Sequence, residues 1–181
     1  MSGDIHLSPN SHIAWLTCLY VLLQKIRREG LMSIEGDIEA PDSPASIFQH
    51  FPQTLAHHYI DFATDVLRLM VGGNLNADEN QVYVDHYIAG LMEKSSVFSR
   101  SSVDESMQKT IWLTLRGAMK GYAPQIACEF GRQAVPLKIK LSFVELEDML
   151  RGINRQFNRS DMKTREGGLD AAVDKFIASL G

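Results

Sequence analysis

From residue 53 to residue 71 the chain writes a nearly all-apolar helix with one narrow polar strip. At about 100° per residue, His57, His58, Asp61, Thr64, Asp65 and Arg68 fall within an arc of about 120°. The rest of the segment is apolar: Leu55, Tyr59, Ile60, Phe62, Ala63, Val66, Leu67, Leu69 and Met70. A strip that narrow predicts a helix packed on most of its circumference, the spine of a fold. The longest apolar run, Ile13 to Leu23 ("IAWLTCLYVLL"), is about half the roughly twenty residues a bilayer crossing needs, so it predicts a buried helix within 11–29. Further helices are expected at 44–50, 77–94 and 143–156. A long one at 104–134 is interrupted near Gly121 and Pro124, where an interior proline would cost on the order of 3 kcal/mol.

Local signals punctuate these segments. Ser43 before Pro44, Asn76 with Glu79, Ser102 with Glu105 and Ser142 with Glu145 mark helix starts, the last three with the spacing of a reciprocal cap. Gly30 and the Gly72–Gly73 pair mark stops. No strand alternation bounded by hairpin turns occurs. The expected fold is all-α, a compact bundle of about six to seven helices around a central buried helix at about 53–71. A single domain is expected over 1–155, its halves 11–94 and 104–155 joined by a serine-rich seam at 95–103. Residues 156–181 read as a linker and a short amphipathic helix carrying Leu169, Val173, Phe176, Ile177 and Leu180.

Composition narrows the chemistry. With 181 residues, 45% of them hydrophobic, the chain can bury a real core. A net charge of −4 argues against nonspecific binding to nucleic acid or anionic membranes. Cys18 and Cys128 form no motif and point to a reducing compartment; Cys128, beside Ile126, Ala127 and Phe130, reads as a small core residue. The polar N-terminal stretch carries no basic, apolar secretion signal. His57, Asp61 and Asp65 share a helix face, but a solvated strip with Asp65 paired to Arg68 is the simpler reading than a cation site. No phosphate loop or nucleophile elbow occurs, so neither an enzyme nor a cofactor or metal site is expected.

One charge pattern stands apart. Lys25, Arg27 and Arg28 close a helix, and after Gly30 come Glu35, Asp37 and Glu39. Cations near a helix C-terminus complement its dipole, worth about 0.3–1 kcal/mol. The same residues also make a bipolar charged knob suited to a complementary partner. From spacing alone the helix-capping reading is the simpler one.

The blocks "RREGLMSIEGDIEAPDSPASIFQHFP", "DFATDVLRLMVGGN", "GYAPQIACEFGRQAVP" and "SFVELEDMLR" together resemble the MotA family of flagellar stator subunits, within the MotA/TolQ/ExbB proton-channel superfamily. They occur in the family's order and cover most of residues 12–155. The resemblance implies a cytoplasmic module in which Gly121 and Pro124 bend the extension of the family's fourth membrane helix back onto a bundle. It also implies that Arg27 and Glu35 face a rotor protein of the FliG type, with Arg28, Asp37 and Glu39 as neighbours. The family's first pair of membrane helices is absent and its second pair is replaced by the seam, so no ion conduction and no membrane span are expected. A native soluble relative is favoured over a spliced fragment, because no tag or Gly/Ser linker occurs. The implied location is the cytoplasm, peripheral to the inner membrane where membrane-embedded stator subunits are partners. The alternative is a MotA-derived scaffold serving another envelope, secretion or conjugation system through a different adaptor.

Overall fold

A computed structural model describes residues 11–51, 57–94 and 102–159. Among them lie seven α-helices and no strand: α1 (Ser11–Glu29), α2 (Glu35–Glu39), α3 (His57–Val71), α4 (Ala77–Lys94), α5 (Ser102–Met119), α6 (Pro124–Gln133) and α7 (Phe143–Arg159). Single 3-10 turns at Leu31–Ile34 and Ile47–His50 complete the set, the second standing in the C-terminal part of the expected helix at 44–50. Of the expected seam 95–103, Ser102 and Val103 belong to α5; residues 95–101, the first part (53–56) of the expected central helix and the segment 169–180 lie outside the described residues.

The predicted caps account for several boundaries. Asn76 Oδ1 accepts the backbone N–H groups of Asp78 and Glu79 at the start of α4. At α7 the cap is reciprocal: Glu145 N–H donates to Ser142 Oγ (3.2 Å), and Ser142 N–H donates to Glu145 Oε2 (2.7 Å). Those bonds from Ser142 hold the Glu145 carboxyl below the usual carboxylate range. Helices α1 and α3 end at Gly30 and at Gly72–Gly73, as expected.

The interruption at Gly121 and Pro124 is a turn between two helices, where the sequence predicted a bend within one. Gly121 has φ of 85°, a conformation costly for any residue with a Cβ. Around it Tyr122 N–H reaches Gly117 O and Gly121 N–H reaches Ala118 O, the paired bonds of a Schellman stop. Pro124 then opens α6 at its first turn, where a missing N–H costs nothing. The two helices fold into a hairpin, α6 lying along α5.

That hairpin packs through small residues. A Cβ on Gly131 would lie 2.0 Å from Thr114 Oγ1 and 2.7 Å from Thr110 O, so only glycine permits this approach. Pro124, Ala127, Cys128 and Gly131 make the buried face of α6. Ile126 and Phe130, expected beside Cys128 in the core, point the other way, each 41% exposed. Close backbone approach of small residues, rather than apolar bulk, decides which face turns inward.

α3 is buried on most of its circumference, with Tyr59, Phe62, Ala63, Val66 and Leu67 inaccessible. The deepest element, however, is α1: every residue from Ser11 to Leu23 is buried. It contacts α5, α6 and α7, so both halves of the chain share one core. Trp15 of α1 meets Phe48 and Tyr59 at ring separations of 6.3 and 6.5 Å. Two buried polar residues of α1 find partners: Thr17 Oγ1 donates to Ile13 O (2.8 Å), and His12 Nε2 lies 2.9 Å from Ser106 Oγ. Burial pushes the His12 imidazole down to about 4. Among the described residues no helix is long and apolar enough to cross a membrane.

Candidate partner-binding surface

The charged residues singled out in the sequence surround the turn from α1 to α2. Arg27 and Arg28 end α1, Gly30 (φ 89°) reverses the chain, and one 3-10 turn leads into α2. Arg27, Arg28, Glu35 and Glu39 are exposed. Among the described residues Arg27 and Glu35 enter no ion pair, so their fields are directed at solvent. Met32, between them in the turn, is 59% exposed and gives the knob an apolar tip.

Asp37 does not belong to this exposed set, and its place as a partner-facing neighbour is corrected. On α2, residues 35 and 39 are about 40° apart, whereas residue 37 lies about 160° from each. Asp37 is therefore turned inward, its side chain 3% exposed. Its Oδ2 accepts Lys25 Nζ at 2.7 Å, and its Oδ1 accepts the buried Ile47 N–H at 2.8 Å. One carboxylate thus ties the C-terminal part of α1 to α2 and to the 3-10 turn at Ile47–His50. His50 nearby has its imidazole pushed down by burial, against the upward pull of Asp37.

Arg68 braces the knob from α3. Its guanidinium donates to Ile38 O (2.9 Å), to Glu39 Oε1 (3.4 Å) and to Asp65 Oδ1 (3.1 Å). The pairing of Asp65 with Arg68 is the one expected from their spacing; the reach to α2, across 29 residues of sequence, is not readable from it. Sequence reasoning also missed Met32, whose only signal is an apolar residue in a glycine-led turn. Glu39 consequently serves both the surface and the brace. The surface is a fixed platform of α1, α2 and α3 ends carrying both signs of charge.

Asp61 is exposed and Asp65 is engaged with Arg68, and the described residues hold no group of three His, Cys, Asp or Glu side chains placed to hold a metal ion. Both cysteines are buried, and burial pushes the Cys128 thiol far up, away from any nucleophilic form at neutral pH.

Comparison with known proteins agrees with the motif blocks. The chain is 25% identical to Motility protein A of Salmonella typhimurium (strain LT2) over 219 aligned residues, covering 83% of this chain and 73% of that protein. It is 25% identical to Motility protein A of Escherichia coli (strain K12) over 206 residues, covering 76% of this chain and 70% of the relative. Both alignments are longer than the 181 residues of this chain, so each relative contains sequence without a counterpart here. No family model and no solved structure matches the chain. Over most of its length the chain is MotA-like.

Proposed function

We propose that this chain is a soluble, MotA-like cytoplasmic module related to the flagellar stator. It acts by charged protein–protein contact with a rotor protein of the FliG type and conducts no ions. No catalysis, metal or cofactor enters this reading. The observation that carries it is the exposure of Arg27 and Glu35, without ion pairs among the described residues, on a base fixed by Lys25–Asp37 and by Arg68. Exposed charges contribute only about 0–1 kcal/mol to folding. Here their main effect is on a partner: opposite charges steer the encounter and reject wrong partners. Arg28 and Glu39 broaden the patch, and Met32 supplies apolar contact at its tip.

Biolayer interferometry against a FliG-type rotor domain, with thermal melts alongside, tests the proposal. Arg27→Glu and Glu35→Lys should each leave the melt within about 2 °C of wild type, while the association rate falls, more steeply at low salt. Reversals that alter neither binding nor stability would overturn the rotor contact and favour a scaffold role in another envelope, secretion or conjugation system. The protein expressed alone should fractionate as soluble; recovery in carbonate-resistant membranes would contradict that part of the reading.

A further inference from the structure

The outer face of the α5–α6 hairpin presents a half-exposed apolar surface. Tyr122, Ile126 and Phe130 recur every fourth residue and are 50%, 41% and 41% exposed, with the Tyr122 and Phe130 rings 5.1 Å apart. Beside them runs an open cleft lined by Leu113, Arg116 and Gly117 of α5, by Lys120 just beyond its end, and by Tyr122 and Phe130. The wall at the end of α5 is cationic: among the described residues Arg116 and Lys120 share the carboxylate of Asp78, at 3.3 and 3.4 Å, which leaves positive charge in excess.

We infer that this cleft is the docking site of the chain's own segment 169–180, whose apolar residues meet Tyr122, Ile126 and Phe130. Three features of the chain favour this occupant. In helical register Leu169, Val173, Phe176, Ile177 and Leu180 occupy an arc of about 100°, a stripe that needs an apolar partner. Asp170 and Asp174 flank that stripe on one side only, while Lys175 lies opposite; the acidic edge matches the cationic α5 wall. Reach is sufficient. α7 has 17 residues and is about 25 Å long, and the nine residues 160–168 extend to about 30 Å, enough to return along α7 toward α6. A tether this short holds the segment at roughly millimolar effective concentration, so a weak contact closes.

Cysteine pairing in the full chain tests the docking. Ile126→Cys combined with Phe176→Cys should form an intramolecular disulfide under mild oxidation. Its rate should be independent of protein concentration and at least about tenfold that of a control pairing Phe176→Cys with Leu75→Cys, exposed at the α3–α4 turn. The native Cys18 and Cys128, both buried, should react slowly. Equal rates for the two pairs, or disulfides formed only between chains, would overturn the inference, the latter pointing to a second copy on this face. In a separate measurement, Phe176→Asp should raise amide hydrogen exchange across 122–130 several-fold with α1 unchanged. Exchange that stays as in wild type would equally overturn it.

Discussion

Asp37→Ala removes one carboxylate that holds three elements, and its cost follows from what is left behind. The Ile47 N–H, buried and 2.8 Å from Oδ1, would lose its acceptor, at about 1–3 kcal/mol for an unsatisfied buried donor. Lys25, whose side chain is 22% exposed, would lose its partner but could tilt its ammonium into water, which limits that loss to about 1 kcal/mol. The expected total is about 2–4 kcal/mol, below the full cost of breaking a wholly buried pair. Asp37→Asn, which keeps an oxygen for Ile47, should fall at about 1–2 kcal/mol. Glu35→Ala, two residues away and exposed, should stay within about 0.5 kcal/mol. Urea denaturation of the three variants reads this order as midpoint shifts at constant m. In thermal melts a domain of this size loses about 2–4 °C per kcal/mol, so Asp37→Ala should melt about 5–15 °C lower. An Asp37→Ala variant within about 0.5 kcal/mol of wild type would refute the inward orientation of Asp37 and return it to the exposed surface.

Gly121→Ala should cost about 1–2 kcal/mol for forcing a Cβ into left-handed backbone, whereas Pro124→Ala, at the first turn of α6, should change stability by no more than about 1 kcal/mol; equal, large losses would restore the picture of a kinked continuous helix. Gly131→Ala should cost about 3 kcal/mol in chemical denaturation, because the new methyl meets Thr114 Oγ1, Thr110 O and Leu16 together. His12, held neutral with its pKa pushed down to about 4, binds fewer protons folded than unfolded, so its effect is absent above about pH 6.5 and stability falls as pH drops toward 4. Between pH 7 and 4.5 wild type should lose about 2–3 kcal/mol more than His12→Gln; parallel pH profiles would place the imidazole in solvent.

Much of the fold is legible because its signals are local. α1 and α4 have the predicted limits, since Asn76 caps its helix and Gly30 stops one. The packed circumference of α3 follows from its narrow polar strip. What escaped the sequence depends on contacts between distant residues. Ser11, His12 and Thr17 look polar, yet they are buried, Thr17 bonded within α1 and His12 across to α5, so the depth of α1 could not be read from its composition. Ile126 and Phe130 outweigh Ala127 and Gly131 in apolar bulk, but the hairpin turns the small residues inward because α5 lies so close. The charged knob was visible as a cluster of charge. Its division into exposed Glu35 and Glu39 and inward Asp37 required knowing that 35–39 is helical. Arg68 was legible as a partner of Asp65, but its reach to α2 depends on tertiary contact.

The most direct test of the rotor-contact reading is a charge-exchange cycle between this chain and a FliG-type rotor domain. Arg27→Glu and Glu35→Lys would each be titrated against wild-type rotor domain and against rotor variants with single surface charges reversed, at low and physiological salt. The account predicts that each reversal weakens binding and that an opposite reversal on the rotor restores part of the loss. The coupling should amount to about 1 kcal/mol or more and shrink as salt rises. Losses that no rotor reversal restores, or binding indifferent to all of these charges, would contradict it.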